Sequence, residues 1–243
     1  MPSKITISNS IENVRGYQFL ALISMLYVSI IVASSVLTNR YVGTDKLFIL
    51  GGALTIPLMF ILDDIIAEVF GYKITQFIIL ACFISLTFFT ILCQIILILP
   101  HPLFFKYQQA YNYILGPNLV RIDVSNMIAY ISANLINSYI LTRWKIILKG
   151  KKFWLRSVGS SAISEILYTF IATILMEFNA IPLSAILKAA SISLLIKAIF
   201  SISLAYPAHV LVANIKRYTG IDVYDFPKGY TPSKFFGEQE NSI

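Results

Sequence analysis

The stretch Pro57-Leu-Met-Phe-Ile-Leu-Asp-Asp-Ile-Ile-Ala-Glu-Val-Phe-Gly71 sets three carboxylates, Asp63, Asp64 and Glu68, at the end of an apolar run. A soluble protein carries such charges on its surface without penalty. In hydrocarbon each costs at least ~2.5–3.5 kcal/mol on insertion scales. Asn126, Asn134 and Asn137 lie in a second apolar run and Glu165 in a third. Intramembrane polar residues face a bundle interior or a polar cavity. The pattern therefore predicts an all-α membrane protein that binds something polar within the bilayer.

Composition agrees. The chain has 243 residues, of which 57% are hydrophobic and 13% charged, against roughly 25% charged in soluble domains. Its mean hydropathy is +0.76. The net charge of +7 would suggest nucleic-acid binding in a soluble protein. Here the basic residues flank apolar runs, as membrane orientation requires, so no nucleic-acid partner is expected and the lipid bilayer is.

Six spans are expected: Tyr17–Leu37, Lys46–Phe70, Ile74–Leu99, Ile122–Leu141, Val158–Phe178 and Lys188–Val212. Each reaches or nearly reaches the ~20 residues that cross a bilayer. Gly43, Gly71, Pro100, Pro102, Gly150 and Pro182 punctuate them, and Pro57 and Pro207 are expected to kink spans two and six. The apolar part of the first span exceeds the ~7–15 residues of a signal-peptide core, so it reads as a retained helix. The expected organisation is an N-terminal tail (1–16), a six-helix domain (17–215) and a C-terminal tail (216–243).

Lys and Arg set the orientation. One side holds Lys4, Arg15, Lys73, the 4–5 loop (Arg143, Lys145, Lys149, Lys151, Lys152, Arg156) and the tail (Lys216, Arg217, Lys228, Lys234). The other holds Arg40, Lys46, Lys106 and Arg121, while Lys188 and Lys197 fall in the sixth span. Both termini are therefore expected in the cytoplasm. The aromatics of the 3–4 loop, Phe104, Phe105, Tyr107, Tyr111 and Tyr113, read either as an interfacial belt or as a lid.

Helical spacing groups the polar residues. Asp64 and Glu68 are four apart and share a face. Asn126, Tyr130, Asn134 and Asn137 form a stripe on the fourth span, with Asp123 extending it. Ser161, Glu165 and Tyr168 form one on the fifth. Asp64, Glu165 and Asn137 each lie about 9–10 Å from the cytoplasmic boundary at 1.5 Å per residue, so one layer is expected there, with Lys197 deeper. The substrate-binding candidates are Asp64, Glu68, Asn126, Tyr130, Asn134, Asn137, Glu165, Tyr168, Lys197 and Asn39. Carboxylates and amides, with Tyr130, Tyr168 and Phe70 as stacking surfaces, suit a flat heterocycle with several hydrogen-bonding groups. A proton or ion site is the rival reading, and helix–helix hydrogen bonding the plain one. Asp63 lies about 100° from Asp64 around the helix and reads as snorkelling or pairing locally.

No catalytic constellation emerges. Cys82 and Cys93 are roughly 16 Å apart along one helix, too far for a disulfide within it. His101 and His209 are far apart, and no serine has a credible histidine partner. No enzyme activity, metal or cofactor is expected.

At these residues the chain resembles the vitamin-uptake-like transporter family typified by bacterial queuosine precursor transporters. Pro57–Gly71 looks like that family's P-L-T-F-x-x-x-D-I-I-N-E-V-Y-G. Arg121-Ile, Ala129-Tyr130 and Tyr139-Ile resemble its R-I, A-Y and Y-I pairs, and Trp154-Leu-Arg with Ile163-Ser-Glu165 resembles its W-L-R and I-S-Q. Where the family has Gln and Asp on the fourth span this chain has Asn134 and Asn137; Glu165 replaces a Gln, Tyr168 an Asp and Ala67 an Asn. The resemblance implies a fold like the membrane subunit of energy-coupling-factor transporters. It also implies inner-membrane import of a 7-deazapurine such as preQ0, preQ1 or queuine. Another heterocycle or vitamin is the alternative substrate, and a non-transporting membrane scaffold the alternative class. A separate energising module and an oligomer both stay open as partners.

Overall fold

The computed structural model describes residues 4–44, 47–149 and 151–223. The expectations placed on Lys46, Gly150, Lys228 and Lys234 lie outside the described residues. Seven α-helices follow in order: α1 (Lys4–Thr38), α2 (Ile56–Phe70), α3 (Tyr72–Ile98), α4 (Gln108–Leu115), α5 (Pro117–Ile147), α6 (Phe153–Glu177) and α7 (Leu183–Thr219). Five helical stretches are long and apolar enough to cross a membrane, within α1, α3, α4–α5, α6 and α7.

The second expected span is built differently. Strands β1 (Tyr41–Thr44) and β2 (Leu47–Leu50) pair antiparallel, Tyr41 opposite Leu50. A 3-10 helix (Gly51–Leu54) leads from them into α2, which has only 15 residues, about 22 Å at 1.5 Å rise. The cause is local. Gly51 and Gly52 break the helical run, and a Cβ on Gly52 would lie 2.0 Å from Thr38 Oγ1. Pro57 sits in the first turn of α2, where its missing N–H costs nothing. It therefore starts a helix and does not kink one. Pro207 lies inside α7 as expected.

Contacts between the ends of the helices sort them into two ends. At one end Val223 N–H bonds the Val69 carbonyl at 3.1 Å, and the Arg15 guanidinium stacks 5.0 Å over the Tyr218 ring. At the other end Tyr41 donates to Glu177 at 2.9 Å, Asn39 to the Ile114 carbonyl at 3.1 Å and Gln94 to the Leu115 carbonyl at 2.7 Å. The first end carries the basic 5–6 turn, and we call it the inner end. Gly71, at φ +89°, reverses the chain there between α2 and α3.

The helices outrun the expected spans. The N-terminal tail is helical from Lys4, and α7 continues to Thr219, past the boundary expected at 216. Polar turns extend a helix once its apolar part is fixed, because propagation adds one bond per residue ordered. Outward faces are apolar: Phe77, Ile84, Phe88, Ile91 and Ile95 on α3, and Leu195, Ile199, Ile202 and Tyr206 on α7, are exposed. That stripe is the face a bilayer would cover. α2 lies inside, with twelve of its residues buried. Serine and threonine hydroxyls satisfy themselves on the carbonyl four residues back, as Thr38 does on Ser34, Thr75 on Gly71 and Ser164 on Ser160, the usual resolution for a hydroxyl within a helix.

Candidate functional site

The inner end holds an ion network. Both oxygens of Glu68 bind the Arg156 guanidinium, at 3.0 and 3.1 Å, and Oε1 also takes Lys216 at 2.7 Å. Lys145 donates to the Glu68 carbonyl at 2.9 Å, to Asp222 at 3.1 Å and to the Val223 carbonyl at 2.6 Å. Lys216 reaches Asp222 at 2.9 Å. Glu68 and Arg156 are fully buried. Burial alone would raise the Asp222 carboxyl, but Lys216 and Lys145 outweigh it and hold it below the usual carboxylate range. Glu68 was expected to accept from a substrate. Its acceptors are instead taken up by α6 and α7, so it works as a clamp on the end of α2.

Above this clamp lie two adjacent buried carboxylates. Asp64 accepts from Asn137 at 2.7 Å, Ser161 at 3.1 Å and Ser157. Asp63 does not snorkel. Its Oδ2 accepts from Asn134 at 2.6 Å and from the Tyr130 hydroxyl, which itself accepts from Tyr27 at 2.7 Å. The Asn134 carbonyl is turned to Gln76 at 3.1 Å. The expected layer thus forms in part. Asp64 meets Asn137, but Glu165 turns to Ser201 of α7 at 2.7 Å. One turn along, Lys197 donates to Thr169 at 2.8 Å and lies 4.6 Å over the Tyr168 ring. These two bonds rung α6 to α7. Asp123 takes a hydroxyl from Thr90.

Further toward the outer end is a small chamber. Ile31, Ser34, Ile56, Met59, Phe83, Asn126, Tyr130 and Tyr168 line it, around a cavity of about 10 Å³, the room of a single water centre. Its aromatic walls are continuous: Phe83 lies 5.7 Å and Tyr168 5.9 Å from Tyr130, and Phe60 backs them 5.1 Å from Tyr130. Tyr168 donates to the Asn126 carbonyl oxygen at 2.6 Å. Ser34 Oγ is buried with no hydrogen-bond partner among the described residues. Aromatic faces with a few aimed polar groups are the side chains that also line small-molecule sites, here around room for one water centre.

Of the expected residues, Asn126, Tyr130 and Tyr168 meet in this chamber. Asp64, Asn134, Asn137 and Glu68 frame the helices beneath it. Asn39 ties α1 to α4 at the outer end, and Phe70 lies at the inner end of α2. Ser34, Met59 and Phe83 were missed in the sequence. Ser34 on the first span and Thr38 just past its expected end lie four apart, a polar signal weaker than a carboxylate. Met59 and Phe83 carried none. The loop aromatics Phe104, Tyr107, Tyr111 and Tyr113 are exposed at the outer end, and none of them lines the chamber.

Buried polar groups inside a bundle with an apolar exterior define a polytopic membrane protein. A family model described as "Putative vitamin uptake transporter" matches residues 50–212. That is well over half of the chain, and the protein belongs to this family of uptake transporters. Neither the curated proteins nor the solved structures yielded a match.

Proposed function

We propose that the protein imports a 7-deazapurine, a queuosine precursor such as preQ0 or preQ1, across the inner membrane of a bacterium. The transporter unit would be residues 17–215, with both termini cytoplasmic. The observation that carries the reading is the chamber, where tyrosine and phenylalanine faces surround the Asn126 amide and a Ser34 hydroxyl that has no partner among the described residues. Flat rings stack on such faces, and amide and hydroxyl together supply donors and acceptors for a heterocycle's edge. The family motifs around Asp64 and Trp154 support the precursor over other vitamins.

Ligand sites run to ~300–1,000 Å³, so binding requires the side chains around this small cavity to part. Tyr168 is the natural mover: its hydroxyl hangs on Asn126, and a ligand edge can replace that one bond. Asp64 and Asn137 then act as framework, with Glu165 and Lys197 holding α6 against α7 behind Tyr168.

Uptake of radiolabelled preQ1 by cells lacking their own precursor transport tests the proposal, with unlabelled deazapurines, purines and vitamins as competitors. Accumulation displaced by deazapurines alone is expected. Displacement by another heterocycle would replace the substrate, and no accumulation of any of them would favour a scaffold.

A further inference from the structure

Asp63 and Asp64 are neighbours in sequence, and both are fully buried, yet their surroundings differ. Asp64 is met by three donors from two helices, Asn137 of α5 and Ser157 and Ser161 of α6. Those donors satisfy a carboxylate charge. Asp63 is met on one oxygen only: Oδ2 takes Tyr130 and Asn134, while Oδ1 has no partner among the described residues. A bare anionic oxygen in a bundle interior is costly. The described ion pairs of this region all belong to Glu68 and Asp222, at the inner end.

We propose that Oδ1 of Asp63 is a proton-binding site that couples transport to the proton gradient. This rests on the transport reading. The groups facing Asp63 argue for a proton over a metal cation. From α1 comes Tyr27 and from α5 Tyr130 and Asn134, the last two presenting O–H and N–H donors to it. On its own helix stands Asp64, and from α3 the Cys82 thiol lies near enough to feel its charge. α6 spends Ser157 and Ser161 on Asp64, and Glu165 of α6 and Lys197 of α7 are engaged with Ser201 and Thr169. A metal ion needs a shell of oxygen lone pairs, and the Asn134 carbonyl that would supply one is turned to Gln76.

The step is a proton transfer alone. A proton from the outer water bonds to Oδ1, and the same proton leaves toward the inner side as the carboxylate re-forms. Its link to the substrate is Tyr130, whose ring lines the chamber and whose hydroxyl bonds Asp63. A charged Asp63 holds that hydroxyl with a charge-assisted bond, and a neutral one holds it more weakly. Proton occupancy therefore sets how firmly one wall of the chamber is fixed, and by linkage a ligand in the chamber shifts proton affinity by the same factor.

Two measurements on the full chain test this. The first needs no substrate: infrared difference spectra of the protein in nanodiscs, followed through a pH titration. A protonated-carboxyl component is expected in the wild type and in Tyr130→Phe that is missing from Asp63→Asn. Identical carboxyl bands in the wild type and Asp63→Asn would overturn the proposal, because the other buried carboxyls, Asp64, Asp123 and Glu165, are common to both. The second is preQ1 uptake into proteoliposomes under an inward proton gradient, an inward sodium gradient or neither. The proton gradient is expected to speed wild-type uptake about fivefold or more, the range of ordinary coupling energies. In Tyr130→Phe, which keeps the carboxyl but alters a chamber wall, the ratio of uptake with the gradient to uptake without it should fall to about one, whatever the basal rate. A response to sodium alone, or a full proton response in Asp63→Asn, would overturn the proposal. Absent uptake in every liposome would sink the substrate reading, and the infrared titration would still decide the site.

Discussion

Glu68 and Arg156 show what a buried charge does once it is partnered. The guanidinium is fully buried and grips both carboxylate oxygens, and removing one member of such a pair costs about 3–5 kcal/mol because the other charge stays behind. Glu68→Ala should therefore lower the thermal unfolding temperature of the purified protein markedly, while Asn39→Ala, at the partly exposed outer end, should leave it nearly unchanged. Equal melting of Glu68→Ala and wild type would remove the clamp. In the chamber the expected cost falls on affinity. Asn126→Ala strips Tyr168 of its acceptor and the ligand of an amide, a loss of ~1–3 kcal/mol, or roughly five- to 150-fold in Kd. Equilibrium binding to Asn126→Ala measures this, and an unchanged Kd would exclude Asn126 from the site. These polar residues were legible in the sequence because charge and amide inside apolar runs are rare enough to notice. Their partners were not, since Glu68 meets Lys216 and Arg156 across separations of 148 and 88 residues, which helical periodicity does not encode.

At the scale of elements, the apolar runs gave the long helices and their order. The second run misled, because hydropathy does not distinguish a helix from a short hairpin, a 3-10 turn and a buried 15-residue helix laid end to end. Gly51-Gly52 was the available sign. The α5–α6 seam is tight for a similar reason: a Cβ on Gly159 would lie 2.4 Å from the Trp144 ring. Gly159→Leu should then cost about 1–3 kcal/mol through overpacking, checked by thermal unfolding; wild-type stability in that variant would show that the seam can open. The segment after α7 is held by Asp222 and by the Val223–Val69 bond. Because the Asp222 carboxyl is held below its usual range, its contribution is complete above an ordinary Asp value of about 3.9. It is lost as pH falls through the lower folded value. Hydrogen exchange at the Val223 amide should stay slow at neutral pH in the wild type and quicken in Asp222→Asn. Equal exchange in both would mean the carboxylate holds nothing.

For the whole molecule, the arrangement is a bundle with its chamber toward the outer end and its ion clamp at the inner end, the two joined through α2. A solute entering from outside would meet aromatic faces first and a closed, charged inner end next. In the proposed import, passage would require the contacts among Glu68, Asp222, Lys145, Lys216 and Arg156 to rearrange. The placement of Val223 beside Val69 puts the end of α7 and the 2–3 turn on one side, and the basic bias of that side is the ground for proposing that it faces the cytoplasm. Reporter fusions at Lys149 and after α7 should both read cytoplasmic, and a periplasmic reading at either would reverse the molecule. The most direct test of the central claim is equilibrium binding of radiolabelled preQ1 to the purified wild type and to Asn126→Ala. Saturable binding to one site per chain, displaced by deazapurines and weakened about fivefold or more in the variant, is the predicted result. No saturable binding, or equal affinity in the two proteins, would contradict a chamber built for a flat heterocycle.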